Sequence, residues 1–390
     1  MSDKFGLQEE LSQLFAKEKA KQLFNTNRKV NYLVEYRGKS LIDFTAKDLF
    51  CYSSNPKVLK SIQQDLERNG LSSLSSRFCS GNYAHYHTIE HKLAELTRQS
   101  ASLVFSSKNQ AILTLISSVL DERDALILSE DLSGPYADSA FLAQVDTYTF
   151  KPFDPASLRN ALERTVFKRR KLVVIDSISN LDGELKDIPA IIQICSEYNS
   201  NLVVDESFSF GLIGTTGAGV ADHFKLIELP FAKILDFSAI LGNFGASIVG
   251  SKELIALLLA RSNVLANEVP ISPALISGLD TSIALMELSL IEREKLQALK
   301  NNLVSGINDL KIFSHLSPAI PIVSLRFKSM RLANEFREAL IDKGFLTELN
   351  ITTKSRNEQS YITFYLNTAH TQKHISDALE AISVIANRIS

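Results

Sequence analysis

The sequence predicts an α/β protein: a mostly parallel sheet with helices on both faces, followed by a smaller α/β C-terminal lobe. Between about residue 87 and residue 250, short β-rich apolar runs alternate with helical segments, the alternation that parallel crossover units produce. The C-terminal part repeats it on a smaller scale, with strand-like runs at Ile320–Phe327 and Tyr361–Leu366 and helical runs at Met330–Asp342 and His370–Arg388. A chain of 390 residues that is 45% hydrophobic supplies core for one large domain and one smaller one.

Taken in order, Leu7, Leu11, Leu14, Phe15 and Leu23 recur at helical intervals through Leu7–Phe24, with Lys and Glu between them. The spacing predicts an amphipathic helix that leads into the body or clasps a second subunit. Val30–Phe44 is strand-like, and Asn55-Pro56 supplies a cap and a first-turn proline for a helix to about Arg68. A Ser-rich turn at Leu71–Ser76 precedes a helix that begins near His87. Ser102–Phe105, Ala125–Leu128, Lys171–Ile175 and Asn201–Val204 read as buried strands, separated by helices such as Ile188–Tyr198. A long helix pair is expected over Pro273–Leu310, and no internal repeat or low-complexity linker interrupts the chain.

Composition excludes several function classes. Lys and Arg total 42 against 44 Asp and Glu, and no run of five like charges occurs, so no electrostatic footprint for nucleic acid exists. Cys51, Cys79 and Cys195 are odd in number and far apart, which argues for buried apolar thiols in a reducing, cytoplasmic setting rather than a disulfide framework. The first residues are charged throughout, without the apolar centre of a signal peptide. The apolar runs fall short of the roughly 20 residues that span a bilayer, so no transmembrane segment is expected and membrane association would come through a partner or a surface helix.

One short motif suggests a metal. His87-Thr88-Ile89-Glu90-His91 spells HxxEH, and on a helix His87 and His91 stand one turn apart, with Glu90 to activate water and His85 as a further nitrogen. Five residues of this kind recur by chance, and the expectation is no metal site. His223, His315 and His374 lie at no metal-binding spacing, His370 is read as a cap of the last helix, and Glu292–Lys295 as a solvated helix face.

The segment Lys171–Phe224 carries Asp182-Gly183, then Asp205-Glu206, then Gly211, Gly214, Gly217 and Gly219. Arg77 and Ser80-Gly81-Asn82 lie upstream, with Phe105-Ser106-Ser107, Leu241-Gly242 and Thr368-Ala369-His370-Thr371 elsewhere. In this combination, over nearly its whole length, the chain resembles the α-oxoamine synthase family, pyridoxal-phosphate (PLP) enzymes of fold type I that condense an amino acid with an acyl-CoA. The resemblance implies a PLP-dependent transferase fold with a seven-stranded type of sheet. Its divisions would be an N-terminal helix and strand segment at 1–44 packed with the small domain, a large domain at 45–280 and a small C-terminal domain at 281–390. It lays cofactor-binding positions on Asp205, Ser107, Lys108, Gly134, Phe208 and Ser238.

Chemistry gives some of these positions independent sense. A carboxylate at the end of a buried strand, as Asp205 is after LVV, can pair with a protonated pyridine nitrogen, although such an Asp can equally cap the turn that follows. The glycines of GLIGTTGAG permit tight turns but do not form a P-loop or a GxGxxG fingerprint, so a structural loop is expected there.

What the family's chemistry needs most is absent. A Schiff-base lysine, later the acid and base at the substrate carbon, belongs in a Ser-Lys-Ala-Leu-Gly-like run, and here the run is Ser238-Ala239-Ile240-Leu241-Gly242. Ala239 holds the lysine position; Lys233 lies in the preceding strand and Lys252 opens the next helix. By the same resemblance Phe208 replaces a histidine donor, Gly134 a stacking histidine, Asn350 a carboxylate-binding arginine, Lys47 an asparagine and Lys108 a glycine of the phosphate loop. The run DESFSFG resembles that of the non-catalytic serine palmitoyltransferase subunit, which also lacks the lysine. Covalent attachment of PLP to this chain is therefore not expected, PLP being implied by the family alone. The expected partner is a homologous catalytic subunit, or a second copy, with acyl-CoA and amino acid reaching a shared site. The competing readings are a homodimeric PLP-binding acyltransferase of the 8-amino-7-oxononanoate synthase type and a freestanding regulatory relic of the fold.

Overall fold

The computed structural model describes residues 6–16, 23–132, 134–179, 181–352 and 359–389. Helix α1 (Leu7–Ala16) carries Leu7, Leu11 and Leu14 on the expected spacing, and all three face solvent. Of the predicted span to Phe24, residues 17–22 lie outside the described residues, and Leu23 and Phe24 follow as exposed coil. The strand-like stretch after it is a meander of three short strands, β1 (Thr26–Val30), β2 (Leu33–Tyr36) and β3 (Lys39–Asp43). Arg37 and Gly38, both at positive φ, make the second turn.

Helix α2 (Pro56–Asn69) starts as the sequence predicts, the Asn55 side chain accepting the Lys57 N–H and Pro56 needing no partner at the first position. Helix α3 (Ala84–Leu96) opens at Ala84, ahead of the expected His87. The large sheet comprises β4 (Ala101–Phe105), β5 (Ala125–Ser129), β6 (Asp146–Phe150), β7 (Lys171–Asp176), β8 (Asn201–Asp205), β9 (Ala232–Asp236) and β10 (Ala246–Gly250). Their order across the sheet is β4-β10-β9-β8-β7-β5-β6, parallel throughout except for β10, which runs antiparallel to β4 and β9. Between and after these strands come α4 (Lys108–Val119), α5 (Gly134–Leu142), α6 (Pro155–Glu163), α7 (Ile188–Glu197), α8 (Val220–His223), α9 (Lys252–Arg261) and α10 (Asn263–Asn267).

Successive residues of the central strands point to opposite faces, and both faces are buried. Val104, Ala125, Ile127, Val173, Ile175 and Val204 belong to one core, whereas Leu103, Phe105, Leu126, Leu128, Leu172, Val174 and Val203 belong to the other. This is why these strands read as continuous apolar runs. Strand β6, DTYTF at the sheet edge, is largely exposed and carries no such signal.

The predicted long helix pair is α11 (Pro273–Leu288) and α12 (Leu290–Leu310), bent by 73° at Ser289. Residue 280, after which the domain division is expected, lies within α11. Tyr52 Oη and Ser289 Oγ are hydrogen-bonded at 2.6 Å, and Arg293 donates to Met286 O at 2.8 Å and Thr215 O at 2.9 Å, which fixes this corner against the large sheet's loops.

Beyond it lie β11 (Ile322–Phe327), α13 (Met330–Asp342), β12 (Phe345–Leu346), β13 (Glu348–Thr352), β14 (Gln359–Tyr365) and α14 (Gln372–Ile389). β11, β14 and β13 form an antiparallel sheet in that order, with Val323, Leu325, Phe336, Ile362, Phe364 and Ile382 among its core residues. β12 pairs in parallel with β3, so the N-terminal meander joins the C-terminal lobe.

Two expectations are corrected. Cys195 is buried, but Cys51 is half-buried and Cys79 exposed, so burial does not account for all three thiols. His370 is not a helix cap: it is fully buried, its Nδ1 accepts the Asn367 N–H at 2.9 Å, and its ring stacks on Phe44 at 4.5 Å. Among the described residues no single helix is long and apolar enough to cross a membrane.

Candidate functional site

In open parallel sheets the loops leaving the C-terminal strand ends enclose the crevice where ligands bind. Here β8 ends in Asp205 and β7 in Asp176, while β4 runs through Ser106 and Ser107 into α4, whose first residue is Lys108. Ser107 caps that helix by accepting the Gln110 N–H at 3.2 Å. Lys108 folds inward, and its Nζ stands 2.6 Å from Asp205 Oδ2. Tyr136 in α5 donates its hydroxyl to the same oxygen at 2.7 Å. Ser207 donates both its N–H, at 3.0 Å, and its hydroxyl, at 2.5 Å, to Asp205 Oδ1.

This environment decides the charge state. Burial pushes the Asp205 carboxyl up, but the Lys108 ammonium and the hydrogen bonds from Lys108, Ser207 and Tyr136 outweigh it, leaving Asp205 ionised below its usual range. For Lys108 burial works downward, and the Asp205 charge overcomes it so that the amine is held protonated above its ordinary value. Tyr136 is pushed well up, first by burial and then by the Asp205 charge, and stays a donor.

A second buried cluster adjoins the first. Lys186 Nζ lies 2.7 Å from Asp131 Oδ2 and is also hydrogen-bonded to Asp176 Oδ1, while the Ser129 hydroxyl donates to Asp131. Burial drives the Asp176 carboxyl up, against the pull of the Lys186 ammonium. Lys108, Leu132, Tyr136, Asp176, Ile178, Asp205, Ser207 and Phe208 together surround a cavity of about 30 Å³.

Of the residues singled out in the sequence, the structure brings Asp205, Lys108 and Phe208 to this cavity. Ser107 is spent on its cap, and Ser238 donates its N–H and hydroxyl to Asp236 Oδ1 at 2.9 and 2.6 Å. Gly134 starts α5 but does not line the cavity; Tyr136, two positions on, does. Ala239 is buried in the turn after β9. Lys233 lies wholly inside β9, with Nζ donating to Thr97 O at 2.8 Å and 3.6 Å from Glu206 Oε1. Burial lowers its basicity, with Glu206 opposing. Asn350 donates to Thr363 Oγ1 at 3.1 Å, and Lys47 pairs with Glu348 at 3.3 Å.

The sequence reading missed Tyr136, Asp131, Asp176 and Lys186. Tyr136 and Asp131 meet partners far along the chain, and no local pattern in the sequence marks any of the four.

The glycine loop proves structural. Gly211 N–H donates to Gly217 O at 2.7 Å, Gly211, Gly214, Gly217 and Gly219 all have positive φ, and the Glu206 carboxylate packs beside Gly219 while accepting the Val220 N–H at 2.8 Å. The HxxEH residues do not converge. Glu90 turns inward, accepting from Arg77 Nη1 at 2.5 Å, from Arg77 Nη2 at 3.0 Å and from the Val104 N–H at 2.9 Å. His87 Nε2 accepts from Asn82 at 2.9 Å, His91 pairs with Glu95 on the surface, and His85 faces Asp280. Among the described residues no group of three or more His, Cys, Asp or Glu is placed to hold a metal.

A seven-stranded sheet of this order, a smaller C-terminal lobe and an aspartate closing a central strand define the fold type I class of PLP-dependent transferases. The chain belongs to the family described as aminotransferase class I and II, which matches residues 42–382. It is 28% identical over 356 residues to 8-amino-7-oxononanoate synthase of Cellvibrio japonicus, covering 90% of this chain and 88% of that protein. It is 26% identical over 345 residues to serine palmitoyltransferase of Sphingobacterium spiritivorum, covering 88% and 86%. Among solved structures, a lysine-to-alanine variant of serine palmitoyltransferase from S. paucimobilis with a bound PLP–myriocin aldimine superposes with a TM-score of 0.90 at 20% identity, covering 99% of this chain and 98% of that one.

PLP is thus the cofactor the family implies, and the residues present do not fit it as they stand. A cavity that takes a benzene-sized ring measures roughly 150 Å³, several times what is open here, and about 30 Å³ holds little more than a water molecule. Asp205 already has a cation, and no ε-amine occupies the turn at Ala239.

Proposed function

We propose that this chain is a catalytically silent homologue of the enzymes that condense an acyl-CoA with an amino acid, and that it serves as the structural subunit beside a homologous chain that keeps its lysine. The observation that carries this is the turn after β9, where a buried alanine methyl stands and no amine can form the Schiff base. Nearby lysines offer no substitute. Lys108 and Lys186 are clamped by carboxylates, and Lys233 is tied to Thr97 inside a strand.

Similarity to 8-amino-7-oxononanoate synthase and serine palmitoyltransferase over most of each protein's length supports an acyl-CoA and an amino acid as the reactants of the assembly. Leu71, Leu74 and Phe78, each more than half exposed in the loop between α2 and α3, offer apolar surface for a second subunit.

Two measurements test this reading. Incubation of the chain with PLP, followed by borohydride and peptide mass spectrometry, should leave no phosphopyridoxyl group on any one lysine. Co-expression with lysine-bearing homologues from the same cell should yield a one-to-one complex that makes a 3-oxo-amine. A site-specific adduct, or turnover of amino acid and acyl-CoA by the isolated chain, would sink the proposal.

A further inference from the structure

The Asp205 carboxylate has no acceptor site left to give. An ionised carboxylate offers about four lone-pair directions, and here the Ser207 N–H, the Ser207 hydroxyl, the Tyr136 hydroxyl and the Lys108 ammonium take them. Each donor comes from the chain itself, and Asp205 is buried. The position of Lys108 is informative because a helix N-terminus carries positive partial charge and disfavours a cation. A lysine at the first residue of α4 would ordinarily turn outward to water. This one turns inward, with its side chain 25% exposed and its Nζ 2.6 Å from the buried Asp205 carboxylate. Tyr136 and Phe208 close the remaining space with aromatic surface.

We propose that Lys108 is a built-in occupant of the cofactor site: its ammonium takes the carboxylate that the family uses for the ring nitrogen, and the chain thereby excludes PLP. This goes beyond the loss of catalysis proposed above, because the absence of the Schiff-base lysine does not by itself stop Asp205 from pairing reversibly with PLP. The lock makes the two losses separate, one at Ala239 and one at Lys108. It also explains how Asp205 survives in a silent site. With Lys108 beside it the carboxylate is a structural ion-pair partner whose removal would strand a buried cation.

Equilibrium dialysis of the purified full chain against PLP, read by the absorbance and fluorescence of retained cofactor, tests the lock. Wild type and Lys108→Arg should retain none. Lys108→Gly should bind reversibly, at least about tenfold more tightly than wild type, and leave no adduct after borohydride. Stoichiometric retention by wild type, or a folded Lys108→Gly that binds no better than wild type, overturns the proposal.

Because Lys108→Gly leaves Asp205 without its cation and could fail to fold, reductive methylation of wild type gives a second reading. Lys108 should react at least about tenfold more slowly than the exposed lysines and speed up in Asp205→Asn. Reaction at the rate of a surface lysine would refute the lock. Reversible PLP binding by wild type without an adduct removes this inference alone, whereas a borohydride-stable adduct on one lysine of wild type removes the silent-subunit reading as well.

Discussion

Arg77 and Glu90 show what a nearly buried ion pair asks of both its members. The guanidinium and carboxylate form a two-pronged pair, each side chain only 10% exposed, and Glu90 also accepts the Val104 N–H of β4. Removing one partner leaves a buried charge, so Glu90→Ala should lose about 3–5 kcal/mol of unfolding free energy in urea denaturation. Replacing both, as Arg77→Met with Glu90→Leu, should lose less than Glu90→Ala alone; equal or larger loss would show that the pair is not the reason.

At this scale the sequence was legible where chemistry is local. Asp205 closes an apolar strand, as the LVV before it suggests, and the Ser-Ala-Ile-Leu-Gly run follows β9. Lys108 was identified as a departure, but whether it crowds the site or faces water depends on a carboxylate three strands away in the sheet order. Tyr136 was invisible for the same reason, since its partner lies 69 residues on.

Among the elements, the loop from Glu206 to Val220 depends most on residue type. Gly219 sits at φ +89°, and a Cβ there would stand 1.9 Å from Glu206 Oε2, the oxygen that accepts the Val220 N–H and the Ser209 hydroxyl. Gly219→Ala should therefore cost at least about 1–3 kcal/mol, read as a lowered urea midpoint. A midpoint unchanged from wild type would mean that the loop accommodates the methyl by moving. Element type and order were readable wherever a strand is buried on both faces or a helix carries a cap, as with β7, β8 and α2. They were not readable for β6 and β13, whose short mixed runs DTYTF and ELNIT lack the continuous apolar character of the buried strands, nor for the turns that divide β1, β2 and β3.

For the molecule as a whole, the sharpest expectation is a response to acid. Burial first, and then the neighbouring His374, hold His370 down at about 3, against 6.5 for a free imidazole. Below pH 6.5 the unfolded chain takes up a proton that the folded chain refuses. The stability His370 contributes is thus complete above that pH and is lost as the pH falls toward the folded value, by up to about 1.4 kcal/mol per pH unit. Urea midpoints measured from about pH 7.5 down to about pH 5 should fall more steeply for wild type than for His370→Asn, by close to one proton in the linkage slope. Parallel slopes would show that His370 titrates normally in the folded protein.

The 73° corner at Ser289 bears on movement. Tyr52 grips it through the serine hydroxyl, and Arg293 bridges it to the carbonyls of Met286 and Thr215. An elbow pinned from three directions cannot swing the C-terminal lobe without first giving up those bonds, so rocking of that lobe in response to an arriving molecule is costly. If the chain serves as the structural subunit proposed above, it would offer its neighbour a rigid buttress, whose contribution is shape held constant.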